Sequence, residues 1–212
     1  MGSVIHILID RWDFFQELIG QHIRISLTAG GLAAVLGLLL GIIICSRKKL
    51  ASFVIGLVNV IYTIPSISLL GLLIPLTGIG NKTAVIALTV YGLLPVVRNT
   101  YTGITGIEPA MIEVAKGLGS TGFQILYKVQ LPLALPVILA GIRSMIVMVI
   151  ALSGVSAFIG AGGLGVAVYR GITTNNASLT VAGSILIALI ALLADWLIGS
   201  VEKGIRRKWR LL

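Results

Sequence analysis

The chain has 212 residues, of which 57% are hydrophobic and 11% charged, and its mean hydropathy is +1.08. A soluble domain carries roughly 25% charged residues, so the composition excludes a water-soluble globular protein and points to a single all-α domain packed within a membrane. The net charge of +9 would suggest nucleic acid in a soluble protein, but the basic residues cluster beside apolar runs, which is a topology signal, and no nucleic-acid partner is expected.

Residues 1–24 mix Ile5, Ile7, Leu8, Trp12, Phe14, Phe15, Leu18 and Ile19 with Asp10, Arg11, Asp13 and Glu17. No basic segment precedes the apolar residues and no small-residue cleavage site follows, unlike a signal peptide. The pattern predicts an amphipathic helix lying at the membrane interface, with Trp12 and the Phe pair at headgroup depth. Residues 25–45 hold no charge and can cross about 30 Å of hydrocarbon as a helix. Gly37 and Gly41 on this first span either let another helix approach closely or simply face lipid. Cys45, the only cysteine, excludes an internal disulfide; with no His/Cys cluster either, no metal site is expected.

Residues 50–76 form an uncharged run longer than one straight crossing needs. Pro65, flanked by Tyr62 and Ser66, predicts a kink. Broken helices with nearby hydroxyls are tolerated where they line a cavity, which makes Tyr62, Pro65 and Ser66 pathway candidates, with a simple packing kink as the alternative. Residues 83–97 are the third span; Tyr91 is an aromatic candidate on it, and Gly92 and Pro95 are expected to loosen its end. A polar connection follows, and then residues 133–151 form the fourth span, interrupted by Arg143. An arginine at that depth marks function or a buried partner. No acid lies in the same run, so carbonyls, phosphates or another chain are the expected partners. Residues 152–168 are apolar but Gly-rich, with Ser153, Ser156, Phe158, Gly160, Gly162, Gly163 and Gly165 as gate candidates. The GxGxxG spacing lacks the strand and helix that a dinucleotide site needs, so a bent, partly re-entrant segment is predicted. Residues 179–198 are the last span, and 201–212 a basic tail.

Five spans place eleven Lys and Arg residues on one side and four on the other, with Arg143 between, which accounts for all sixteen. By the excess of Lys and Arg in cytoplasmic loops, the rich side is cytoplasmic, the N-terminus outside and the C-terminus inside. The chain thus divides into an N-terminal segment 1–24, a transmembrane unit 25–200 and the tail.

The polar connection, 108–132, carries the most specific signal. Glu113, Ala115, Lys116 and Leu118 favour helix, Gly117 and Gly119 interrupt it, Ser120 or Thr121 can cap a new turn, and Pro132 is expected to stop that turn and open the next run. The spacing Glu113-x-Ala115-x-x-x-Gly119, nine residues, Val129-x-Leu131-Pro132 resembles the EAA loop of permease subunits in binding-protein-dependent ABC importers. Val114 and Val129 depart conservatively from the common alanine and isoleucine. The resemblance implies a coupling helix that docks on a cytoplasmic ATPase subunit through Glu113, Ala115, Gly119, Leu131 and Pro132. From about His22 onward the chain is similar to the five-helix core of methionine-type (type I) importer permeases. Arg98 to Leu131 and Ser156 to Gly165 look most like osmoprotectant permeases for glycine betaine, carnitine or choline. That resemblance implies an extracytoplasmic solute-binding protein, a second permease subunit (a second copy or a related chain), and ATP and Mg bound only by the ATPase partner.

No GxxxxGK[ST] phosphate loop, Gly-x-Ser-x-Gly elbow or paired intramembrane carboxylate is present, so the chain is expected to have no ATPase site and no energy source of its own. The other readings are a related permease for methionine or another small solute, a stand-alone channel or ion-coupled carrier, and a structural membrane subunit.

Overall fold

In a computed structural model, residues 2–209 are described and every regular element is helical. Helix α1 spans Gly2–Asp10, and α2 spans Trp12–Cys45. A bent pair follows: α3 at Lys48–Thr63 and α4 at Ser66–Thr77, turned 101° from each other at Ile64 and Pro65. Helix α5 spans Asn81–Thr105. The connection holds α6 at Pro109–Gly117 and α7 at Gly122–Ile125, then a π turn at Leu126–Gln130 that leads into α8 at Leu131–Ser153. A 3₁₀ turn at Val155–Ile159, α9 at Gly165–Thr173 and α10 at Ala177–Trp209 complete the chain. Four helical stretches are long and apolar enough to cross a membrane, and the bent pair makes a fifth. Each contains one of the five predicted spans.

Several boundaries differ from the sequence-based expectation. Residues 12–24 are not a separate interfacial helix but the first turns of α2. At about 1.5 Å per residue this 34-residue helix is about 51 Å long, more than the hydrocarbon requires. Phe15, Leu18, His22 and Ile25 recur on one face and are all buried. Phe15 and Leu18 pack with Leu164, Ala167, Leu179 and Ala182, so the apolar face predicted to meet lipid meets α9 and α10 instead. The third helix runs past the expected end near Val97, because α5 continues to Thr105 with Pro95 inside it. Residues 201–209 continue α10 rather than forming a tail of their own; residues 210–212 of the predicted tail lie outside the described residues.

The core is built on α5, which packs against α2 and α8 in the two most extensive helix contacts. Small residues bring these helices together. A Cβ added at Gly37 would sit 2.7 Å from that of Val96, and one at Gly41 would sit 2.5 Å from that of Thr100, so the Gly37-x-x-x-Gly41 face meets α5. Gly141 does the same between α8 and α5, against Asn99 at 2.5 Å. Lipid tails are as apolar as leucine, so close van der Waals approach supplies the attraction that water exclusion supplies in soluble proteins.

Candidate functional site

The connection between α5 and α8 is an ordered elbow. Pro109 starts α6 where its missing N–H costs nothing. The helix ends in a Schellman motif: the Ser120 N–H donates to the Ala115 carbonyl at 3.1 Å and the Gly119 N–H to that of Lys116 at 2.9 Å. That closure puts Gly119 at φ +82°, the left-handed region where glycine carries no Cβ penalty. Thr121 then forms a capping box with Gln124: the Thr121 N–H donates to Oε1 of Gln124, and the Gln124 N–H donates to the Thr121 hydroxyl.

Pro132 does not stop the new helix, contrary to expectation. Residues 122–153 form one continuous helical stretch. The π turn explains how: the Leu131 N–H reaches back five residues to the Leu126 carbonyl, a widened turn that accommodates the proline ring and its missing donor. Leu131 and Pro132 therefore lie inside one helical stretch that runs from Gly122 into α8.

The elbow presents an apolar surface. Val114, Leu118, Phe123 and Tyr127 are each more than 60% exposed; the first two lie outside the spans and the last two in the opening turns of the fourth. The Phe123 and Tyr127 rings stack 6.4 Å apart. A hollow of about 400 Å³ lies between Met111, Val114, Leu118 and Val129, with Ala115 buried at its base. Glu113 is exposed, and no atom lies within 4 Å of where a Cβ of Gly117 or Gly119 would stand. Small residues marked this surface in the sequence. The exposed apolar residues that form it went unread, because in a chain 57% hydrophobic they look like ends of spans.

The pathway candidates fall into separate groups. At the break in the second span, Pro65 separates α3 from α4 and Ser66 begins α4. Tyr91 is buried, and its hydroxyl donates to the Ile64 carbonyl, which the break leaves without a helical partner. It ties α5 to the bend. Tyr62 stands edge-on to Tyr91 at 5.9 Å, is 44% exposed, and points its hydroxyl at the Met148 sulfur, 3.4 Å away.

Ser153 and Ser156 also lie buried in the packed interior. The Ser153 hydroxyl is 2.8 Å from His22 Nε2 and 3.1 Å from the Ser26 hydroxyl, while Ser156 donates to the Ser153 carbonyl at 2.6 Å. His22 Nε2 also lies 3.1 Å from the Ile150 carbonyl, so α2 and α8 are tied by a buried polar knot that the sequence did not reveal. Among the described residues no group of His, Cys, Asp and Glu could hold a metal ion.

The Gly-rich segment turns back after the 3₁₀ turn, and α9 has nine residues, too few to cross a bilayer. Gly160 and Gly163 take positive φ. The Gly162 N–H donates to the Asn81 side chain and that of Gly163 to Gln21, at 2.9 and 3.0 Å. Gly165 packs so close to the Gly154 carbonyl that a Cβ would overlap it. Phe158 is exposed and lies edge-on to Tyr169 at 5.0 Å.

Arg143 has a partner that the sequence reading missed. Its Nε and Nη2 donate to the two carboxylate oxygens of Asp195, both at 2.6 Å, and its Nη1 is 3.6 Å from a Glu202 oxygen. Asp195 lies 52 residues away in sequence, on α10, so searching Arg143's own run for an acid could not find it. A further signal was present: Asp195 is the lone carboxylate in the apolar run 179–198.

Five spans around a small-residue core, with an ordered amphipathic elbow between the third and fourth, define the permease fold of a type I importer. Residues 33–207 match the family model described as binding-protein-dependent transport system inner membrane component, and the chain belongs to that family. It is 41% identical to the osmoprotectant import permease protein OsmW of Salmonella typhimurium, over 96% of this chain and all of that protein. It is 42% identical to the glycine betaine/carnitine/choline transport system permease protein OpuCD of Bacillus subtilis, over 87% of this chain and 81% of that one. Among solved structures it is similar to a chain of the MetNI methionine ABC transporter in an inward-facing conformation. There the TM-score is 0.80 with 26% identity, over 87% of this chain and 93% of that one.

Proposed function

We propose that this chain is the membrane permease of an ATP-driven importer for quaternary ammonium osmoprotectants such as glycine betaine, carnitine and choline. The observation that carries the reading is the elbow: a helix with an exposed apolar face that ends in a closed turn at Gly119, followed by a capped second helix that runs without a break into a core span. An ATPase subunit gripping that face at Glu113, Ala115 and Gly119 would move α8 as a lever through Leu131 and Pro132. Closure of two ATPases on bound ATP and Mg would thereby reorient the spans by rigid-body motion and give alternating access.

The rest of the assembly follows from what the chain lacks. It has no phosphate loop, so hydrolysis belongs to a separate subunit. Five spans are few to enclose a path, so a second permease, identical or related, supplies the other half. An extracytoplasmic protein delivers the solute. The elbow carries the basic side of the chain and faces the cytoplasm; the C-terminus lies on that side and the N-terminus outside.

The solute class rests on identity above 40% to osmoprotectant permeases, against 26% to the methionine permease. The test is uptake into proteoliposomes holding the permease, its ATPase and its binding protein. Labelled glycine betaine or choline should accumulate with ATP. Accumulation of methionine instead would move the chain to that neighbouring group, and uptake without the ATPase would make it a channel or ion-coupled carrier.

A further inference from the structure

The Arg143–Asp195 pair lies within two spans, yet its side chains are 35% and 39% exposed. Ionised groups at membrane depth face a bundle interior or a watery cavity rather than lipid. A cavity of about 590 Å³ opens over the pair, with Ser144, Val147 and Met148 from α8 on its wall and Glu202 from α10 at one end. The volume is within the range of roughly 300–1,000 Å³ found for small-molecule sites. Room for the guanidinium comes from Gly199, where a Cβ would stand 3.0 Å from its central carbon. Met148 also receives the Tyr62 hydroxyl, and Tyr62 meets Tyr91 edge-on. Tyr62 thus stands beside the cavity at Met148, next to the broken span.

We propose that this cavity is a transit subsite for a zwitterionic solute, an inference that rests on the osmoprotectant reading. The pair is the electrostatic mirror of a solute with a carboxylate at one end and a quaternary ammonium at the other. The planar fork of Arg143 accepts a carboxylate in bidentate fashion. Asp195 then faces the ammonium, and Tyr62, beyond Met148 at the cavity's edge, offers the aromatic surface that such methylated cations favour. With no solute in the cavity the two side chains satisfy each other, as seen here. The solute exchanges one ion pair for two, so both charges stay partnered throughout its passage. Met148 and Val147 give the methyl groups an apolar bed without further hydrogen bonds to hold them.

The test compares two solutes in the complete reconstituted importer at saturating concentration, where the binding protein is full and the maximal rate reports the membrane passage. Glycine betaine has a carboxylate and choline has none. Arg143→Gln should lower the betaine rate at least about tenfold more than the choline rate. Gly199→Ala keeps every charge but crowds the guanidinium, and should shift the ratio the same way by less; it carries the comparison if Arg143→Gln does not insert. A bridge that merely joins α8 to α10 would lower both rates together. An unchanged betaine-to-choline ratio in both variants, with the wild type transporting both, overturns the subsite alone. A wild type that transports neither solute removes the osmoprotectant reading and the subsite with it.

Discussion

Substitution at Gly119 isolates what the elbow contributes. The residue sits at φ +82° with nothing in the chain within 4 Å of its missing Cβ, so a side chain there meets a backbone penalty and no internal clash. Holding a non-glycine residue in the left-handed region costs roughly 1–2 kcal/mol, about a 5- to 30-fold loss in the population of the closed Schellman turn. Asparagine tolerates that region better than alanine, and a β-branched valine tolerates it least. If the turn geometry is what the ATPase grips, uptake should rank Gly119 above Asn, then Ala, then Val, with the valine variant down at least about fivefold. All four proteins should reach the membrane in equal amounts, because the spans and their small-residue core are untouched. The assay is ATP-driven uptake in proteoliposomes, with the ATPase rate measured in parallel; uncoupling appears as hydrolysis that outlasts transport. A Val variant with wild-type uptake would refute the reasoning. An Asn variant as poor as Val would show instead that bulk at the docking surface matters, and not backbone conformation.

Leu118→Glu places a charge on a side chain that is 82% exposed; it should leave the permease's thermal stability unchanged but sharply reduce copurification of the ATPase, and full copurification would clear this surface of any docking role. Tyr91→Phe removes the hydroxyl that serves the Ile64 carbonyl and should cost on the order of 1–3 kcal/mol, read as a lower melting temperature in detergent, whereas an unchanged melting point would mean the bend is held by packing alone. Gly41→Ala drives a methyl to 2.5 Å from Thr100 Cβ and should destabilise by about 1–3 kcal/mol; the double variant Gly41→Ala/Thr100→Gly should recover much of that loss, and additive losses would rule out the direct clash. Ser153→Ala trims a knot inside the core and should alter stability by about 1 kcal/mol while leaving the maximal uptake rate intact, so a selective change in rate for one solute would return Ser153 to the pathway.

Much of the architecture could be read along the chain, because the bilayer imposes one-dimensional rules. Uncharged runs long enough to cross gave the five spans, Pro65 gave the break, and Gly119 with Thr121 gave the end of one helix and the cap of the next. Each is a local property: length, hydropathy, a missing donor or a positive φ. The elbow was legible for the same reason, since caps and turns are decided within a few residues.

Pairings between distant segments were decided by the tertiary structure. Residues 12–24 are amphipathic whether they meet lipid or protein, and only packing against α9 and α10 shows that Phe15 and Leu18 face inward. Arg143 advertised the need for a counter-charge, but Asp195 lies on another span, and an apolar run does not encode which helix stands beside it. The same holds for Tyr91 at the Ile64 carbonyl and for His22 among the serines. Water offers no partner in the membrane interior, so a polar group there must find one wherever the folded chain provides it, and sequence distance places no limit on where that is.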